Sequence, residues 1–160
     1  MLSVNMPHGA TLERISFDAD GKVPDGAVWL DLHSPTPAEN KLVERTLGIA
    51  LPTREEMQEI EVTSRLYVEN GARYMTATLM CHSDTDIPRT TPVTFILSGH
   101  RLVTVRYDEP KPFAIVGARL ARACPRTDAA GGRAAVFLLQ MDEVVIGWAR
   151  APARHGCKLR

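Results

Sequence analysis

Two consecutive β-hairpins in the middle of the sequence constrain the fold more than any other feature. Asn70-Gly71 separates two strand-like runs, 66–69 and 73–80, and both turn residues tolerate the positive φ angles that a two-residue hairpin needs. A second pair of runs rich in β-branched residues follows at 93–97 and 102–107. Because a hairpin joins antiparallel strands, the sheet that contains these runs cannot be purely parallel.

Helical segments are predicted on both sides of the hairpins. Thr36 and Glu39 have the spacing of a capping box, and Gly48 is placed where a helix that starts there would end. After the hairpins, apolar residues recur at intervals of three and four, which predicts one helix over about 113–123 and another from about residue 133. These helices have apolar stripes that need a sheet or another helix to cover them.

The order of the elements predicts the fold class. Strand signals at 2–4, 12–17 and 28–32 precede two helices, and the four hairpin strands precede two more helices. Helices that come before and after consecutive hairpins in the chain are typical of an α/β fold with a mixed sheet. We therefore expect an α/β/α sandwich around one mixed parallel/antiparallel sheet.

Composition narrows the class of protein. Lys plus Arg and Asp plus Glu each number 19, so the net charge is zero, and no nucleic-acid partner is expected. The longest apolar run, 134–139, is far shorter than the roughly 20 residues that span a bilayer, and no signal peptide is visible. Three widely spaced cysteines, Cys81, Cys124 and Cys157, fit a reducing compartment. We expect a soluble chain in the cytoplasm.

The sequence has no motif that predicts an enzyme. It lacks a glycine-rich dinucleotide loop, a phosphate loop and a nucleophile elbow. Cys81 and His82 are adjacent, but a zinc site needs further ligands at a recognisable spacing, so a buried thiol beside an exposed imidazole is the simpler interpretation. Asp84 and Asp86 form a weaker candidate for a cation loop. A stand-alone α/β enzyme for a small molecule stays an alternative without a candidate nucleophile.

An acidic segment is the most informative feature for function. Glu55, Glu56, Glu59 and Glu61 fall within seven residues, and Arg54 is the local counter-charge. Carboxylates three and four residues apart are neighbours on a helix and destabilise it by about 0.2–0.5 kcal/mol per pair. The segment is either a solvated capping helix or a surface for a divalent cation or a basic partner, since hard cations prefer clustered carboxylates.

An ordered series of short segments points to one family. The segments lie at 29–32, 37–39, 47–53, 54–61, 64–67, 74–79, 92–97 and 102–107. Together they resemble the cytoplasmic N-terminal region of CorA-type magnesium/cobalt transport proteins, over roughly residues 1–145. The resemblance implies a cytoplasmic α/β/α regulatory domain over residues 1–148 that includes the start of a stalk-type helix. It leaves 149–160 as an irregular tail that a truncation or a shifted reading frame would explain.

The resemblance also implies partners and a metal. Members of the family assemble as homopentamers at the inner membrane, with a stalk, two spans and a Gly-Met-Asn motif that this sequence lacks, so the chain would meet the membrane only through a missing C-terminal region. A regulatory Mg²⁺ can be shared between this domain and a neighbouring subunit, and Glu56 and Glu59 are the corresponding ligands here. We expect weak Mg²⁺ binding by the chain alone. Co²⁺ is a second candidate ion, and a zinc-transporting relative of the superfamily is the alternative function.

Overall fold

A computed structural model describes residues 1–9, 11–17, 21–59, 66–82, 87 and 89–122. Within these residues there are seven strands: β1 (Leu2–His8), β2 (Thr11–Phe17), β3 (Trp29–His33), β4 (Leu66–Glu69), β5 (Ala72–Cys81), β6 (Arg89–Ser98) and β7 (Arg101–Arg106). The helices of this part of the chain are α1 (Pro37–Leu47), α2 (Arg54–Glu59) and α3 (Lys111–Arg122). The helix predicted from residue 133 and the tail at 149–160 lie outside the described residues.

The strands form one mixed sheet. Their order is β2-β1-β3-β7-β6-β5-β4. β3 and β7 run parallel, with Trp29 opposite Leu102 and Leu32 opposite Val105, whereas the remaining neighbouring pairs are antiparallel. Both hairpins predicted from the sequence are present, β4–β5 and β6–β7. The prediction of a mixed sheet is confirmed.

Helices cover both faces of the sheet. Alternate strand residues point to opposite faces, so Leu30 and Leu32 pack with α1 and α2, whereas Trp29 packs with α3. The first core contains Leu2, Val4, Leu30, Leu32, Leu42, Val43, Met57, Val103 and Val105, among others. The second contains Leu12, Trp29, Leu79, Val93, Phe95, Leu102, Phe113, Val116 and Leu120. The α/β/α sandwich is therefore confirmed.

Helix α1 is closed at both ends as its sequence predicts. Thr36 Oγ1 accepts the Glu39 N–H at 3.3 Å, and Glu39 Oε2 accepts the Thr36 N–H at 2.7 Å. At the other end Gly48 is left-handed, with φ 65°, and its N–H donates to the Glu44 carbonyl at 2.8 Å. The capping box and the terminal glycine are local devices, which is why the sequence alone could locate them.

Two strands are longer than the sequence predicts by four residues or more. β1 continues to His8 because it lies between β2 and β3 and pairs with β2 along its whole length. β6 begins at Arg89, four residues before the predicted start, although Pro92 has no N–H to donate. Pairing with β7 begins only at Val93, so Pro92 has a single neighbouring strand and interrupts one ladder at most.

Candidate metal centre

The acidic helix α2 is held in place by the loop before it. Tyr74 is fully buried on β5, and its hydroxyl donates to the Ala50 carbonyl at 3.0 Å. The Leu51 N–H donates to Glu44 Oε1 on α1 at 3.0 Å. Met57 is the buried residue of α2 and packs in the first core. These contacts leave the other side of α2 facing solvent.

Glu56 also closes the start of its own helix. Its Oε2 accepts the Thr53 N–H at 2.8 Å, while Thr53 Oγ1 accepts the Glu56 N–H at 3.2 Å. This is the reciprocal capping box that the Thr-x-x-Glu spacing predicts. One carboxylate oxygen of this predicted metal ligand therefore already has a backbone donor, and the other oxygen remains for a cation.

The carboxylates of α2 are exposed and approach two different tyrosines. Burial raises the pKa of Tyr107, the Glu55 carboxylate adds to the shift, and the Arg54 guanidinium, 5.3 Å above the ring, opposes it. Burial also raises the pKa of Tyr67, with further contributions from Tyr74, Glu69 and Glu56. The Glu55 charge thus acts on Tyr107, and the Glu56 charge acts on Tyr67.

The structure places Glu56 and Glu59 on one exposed helix but does not complete a metal site around them. Among the described residues, no three His, Cys, Asp or Glu side chains come together as a ligand set. Glu61, Asp84 and Asp86 lie outside the described part of the chain. The assignment of Glu56 and Glu59 as metal ligands therefore stays a prediction, and a cation held there needs ligands from elsewhere.

The Cys81–His82 pair is arranged as the simpler interpretation predicts. Cys81 is fully buried, and burial raises the pKa of its thiol to about 11, so the thiolate that zinc binds is disfavoured. His82 is exposed, and its Nε2 lies 3.6 Å from Asp108 Oδ1. The neutral thiol behaves as a small core residue.

A buried polar network beneath α3 was not predicted from the sequence. Asp31 on β3 and Arg106 on β7 are 0% and 2% exposed. They form a bidentate pair, with Arg106 Nε 3.0 Å from Oδ1 and Nη2 2.9 Å from Oδ2. Thr104 Oγ1 donates to Asp31 Oδ1 at 2.8 Å and accepts from Trp29 Nε1 at 3.0 Å.

The network links four elements. Arg14 Nη2 on β2 reaches Asp31 Oδ2 at 3.2 Å. The Arg106 guanidinium lies 4.6 Å above the Phe113 ring at the start of α3. A signal was present in the sequence, because Asp31 is a lone acid inside an apolar strand and Arg106 follows the apolar run 102–105, and a buried charge needs a partner. Only the parallel pairing of β3 and β7 shows that Asp31 and Arg106 are each other's partner.

Solved structures share this fold. The complete CorA magnesium transporter from Methanocaldococcus jannaschii aligns with a TM-score of 0.61 and 14% identity, over 93% of this chain and 46% of that one. The soluble domain of CorA from the same organism aligns with a TM-score of 0.58 and 16% identity, over 94% and 58%. The chain therefore has the α/β fold of a CorA soluble domain.

Sequence comparisons identify the family. The family described as CorA-like Mg²⁺ transporter protein matches residues 24–149, so this chain belongs to it. The magnesium transport protein CorA of Campylobacter jejuni is 30% identical over 120 residues, which cover 69% of this chain and 37% of that protein. CorA of Pasteurella multocida is 27% identical, over 66% of this chain and 33% of its own length. The chain thus spans about a third of the curated relatives it matches.

The helices of the described ranges are short, and the longest of them, α3, has 12 residues. Within these ranges, no helix combines the length and the apolar character that a bilayer crossing requires.

Proposed function

We propose that this chain is the cytoplasmic regulatory domain of a CorA-like transporter, which senses intracellular divalent cation and gates a membrane pore. The match of residues 24–149 to the CorA-like family carries this proposal. The α/β/α fold supports it, because the CorA soluble domain has the same fold. Relatives named as magnesium transport proteins favour transport over catalysis. In the full-length protein this domain belongs at the inner membrane, on its cytoplasmic side.

The proposed sensor is one half of a cation site on α2. Glu56 and Glu59 are exposed and three residues apart, so they are neighbours on the helix surface. Two carboxylates from one subunit leave most of an octahedral Mg²⁺ shell to water or to other ligands. We infer that a neighbouring subunit of a homopentamer supplies the rest. Mg²⁺ is the first candidate ion and Co²⁺ the second.

The proposed gating of the pore follows from the position of the cation between two subunits. An ion shifts an equilibrium only by the difference between its affinities for the two states. An ion bound between subunits has its full ligand set only while the subunits are in contact. Intracellular Mg²⁺ would therefore stabilise the closed state, and loss of Mg²⁺ would allow the pore to leave that state.

The test compares Mg²⁺ binding by the 160-residue chain and by Glu56→Gln/Glu59→Gln. We expect a millimolar Kd for the chain, which corresponds to about 4 kcal/mol, and no measurable binding by the double variant. Gln keeps an acceptor oxygen for the Thr53 N–H, and removal of a like-charge pair offsets the weaker cap, so the free energy of unfolding should change little. Chemical-shift mapping locates the ion.

The matched control is Glu13→Gln/Glu109→Gln, which removes the same charge from exposed positions outside α2. This variant should bind Mg²⁺ as the unmodified chain does. Equal binding by all three proteins would contradict the placement on α2. Tight binding centred on Asp84 and Asp86 would contradict it as well.

A further inference from the structure

A groove between α3 and the β1–β2 edge is separate from the acidic helix. Its volume is about 230 Å³, and its walls include Leu12, Trp29 and Phe113. Small residues of α3, among them Gly117 and Ala118, form the opposite wall. A Cβ built on Gly117 meets no atom within 4 Å, so the groove is open at this point.

Two polar side chains line the groove. Asn5 on β1 and Arg14 on β2 are cross-strand partners, and both line it. Asn5 is 3% exposed, and its Nδ2 donates to the Trp29 carbonyl at 3.3 Å. Among the described residues, no other hydrogen bond is made by the Asn5 side chain. Its amide oxygen is an acceptor, so it pairs with a donor such as water and not with a carboxylate.

Some N–H groups of Arg14 have no acceptor among the described residues. Its Nη2 contacts Ser3 Oγ at 3.1 Å and Asp31 Oδ2 at 3.2 Å. Within the described part of the chain, its Nε and Nη1 donate to no protein acceptor, and 47% of the side chain is exposed. Nε and Nη1 lie on different edges of the guanidinium, and either can donate a single charge-assisted hydrogen bond to a carboxylate.

The local charge favours an anion. Arg14 and Arg106 share the single carboxylate of Asp31, which leaves one positive charge in excess. One negative charge on a ligand would balance it. The remaining walls are apolar and aromatic, as they are in most small-molecule sites. At about 30 Å³ per water molecule, the volume holds roughly seven waters or a ligand of about ten non-hydrogen atoms.

We propose that this groove binds a small monocarboxylate with an apolar body. The carboxylate accepts one charge-assisted hydrogen bond from Arg14, from Nη1 or from Nε, and the apolar body lies between Trp29, Phe113 and the small residues of α3. Such a site would give the domain a second, organic ligand that binds on the opposite face of the sheet from α2.

Benzoate is a suitable probe, and benzyl alcohol is its neutral counterpart with the same ring. In NMR titrations of the 160-residue chain, benzoate should shift the signals of Leu12, Arg14 and Gly117 with a Kd of about 1 mM, and benzyl alcohol should bind at least about tenfold more weakly. Arg14→Gln should weaken benzoate binding about tenfold, whereas Arg45→Gln on α1, an exposed arginine on the opposite face, should leave it unchanged.

A second variant tests the proposal independently if Arg14→Gln does not fold. Ala118→Leu fills the groove from an exposed helical position without touching Arg14 or Asp31, and it should also weaken benzoate binding about tenfold. The proposal would be overturned if about 10 mM benzoate shifted no signals in the groove, or if the acid and the alcohol bound equally well. It would also be overturned by contacts in the free chain between Gly117 and residues 133–148, since the chain would then fill its own groove.

Discussion

At the scale of single residues, the pair of Asp31 and Arg106 decides how the buried face of the sheet is organised. Taking two charges out of water costs several kcal/mol each, and the attraction between them offsets this only when the geometry and the added hydrogen bonds are good. Here Asp31 receives donors from Arg106, Thr104 and Arg14. We therefore expect the pair to specify which strands are neighbours more than it adds stability.

Asp31→Ala should destabilise the fold strongly, because it leaves the buried Arg106 guanidinium without its carboxylate. Breaking one side of such a pair costs about 3–5 kcal/mol. Urea denaturation gives the free energy of unfolding. Asp25→Ala is the control, since Asp25 is exposed and lies 3.9 Å from Lys22 in a surface pair, and it should leave the unfolding midpoint unchanged.

Asp31→Leu/Arg106→Met tests the physical reason. Removing both charges leaves no unpaired ion, so this double variant should be more stable than Asp31→Ala. A double variant that is as unstable as the single one would show that the unpaired charge of Arg106 is not the cause of the loss.

Glu39 is the second residue whose charge matters for folding. Burial alone would raise its pKa, but hydrogen bonds from the Thr36 N–H, the Met1 ammonium and the Leu2 N–H lower the pKa below its ordinary value of 4.5. The carboxylate thus joins the start of β1 to the start of α1. Because the pKa is lowered in the folded state, ionised Glu39 favours folding above pH 4.5.

Glu39→Gln should therefore be less stable than the unmodified chain at pH 7, and the difference should shrink as the pH falls below 4.5 and through the lowered pKa of Glu39. Urea denaturation of both proteins at several pH values measures this difference. A gap that stays constant from pH 7 to pH 3 would contradict the assigned role of the charge.

At the scale of elements, two glycines show how backbone conformation sets the effect of the same substitution. Gly48 ends α1 with φ 65°, whereas Gly117 lies inside α3, and an added Cβ meets nothing within 4 Å at either position. Any difference between the two alanine variants must therefore come from the backbone. Alanine is disfavoured at positive φ and favoured over glycine within a helix.

Gly48→Ala should lower the melting temperature and Gly117→Ala should raise it. Gly48→Ala should lower the free energy of unfolding by about 1 kcal/mol, and Gly117→Ala should raise it by about 0.5–1 kcal/mol. Thermal denaturation followed by circular dichroism measures both. Equal shifts in the same direction would mean that Gly48 does not adopt the left-handed conformation.

At the scale of the whole molecule, the sheet ends in an exposed strand. β4 is an edge strand, and its apolar residues Leu66 and Val68 are 72% and 69% exposed. An exposed apolar edge is a template for pairing with another chain. It has only four residues, which is too small a surface for a stable interface, since specific interfaces bury about 1,200–2,000 Å² in total.

We therefore expect the 160-residue chain to be a monomer of 17.6 kDa with weak self-association at high concentration. Val68→Lys should reduce that association, because a lysine on an edge strand disfavours edge-to-edge pairing. Sedimentation equilibrium at increasing concentration measures both effects. A tight pentamer at micromolar concentration would contradict the prediction.

Local elements were determined by the sequence itself. The capping boxes at Thr36 and Thr53, the left-handed end at Gly48 and the Asn70-Gly71 turn depend on residues within four positions of one another. Their signals are therefore complete in a short window of sequence. The acidic character of α2 is equally local, whereas the choice of Glu56 and Glu59 as candidate metal ligands rests on the resemblance to the CorA family.

Other features were decided only by the tertiary structure. Asp31 and Arg106 are 75 positions apart, and nothing in either strand says that the two strands are parallel neighbours. The length of β1 depends on two flanking strands, and the groove lined by Asn5 and Arg14 needs α3 packed across β1 and β2. Such contacts depend on chain closure over long separations and on burial against several elements at once, and no local pattern of residues encodes them.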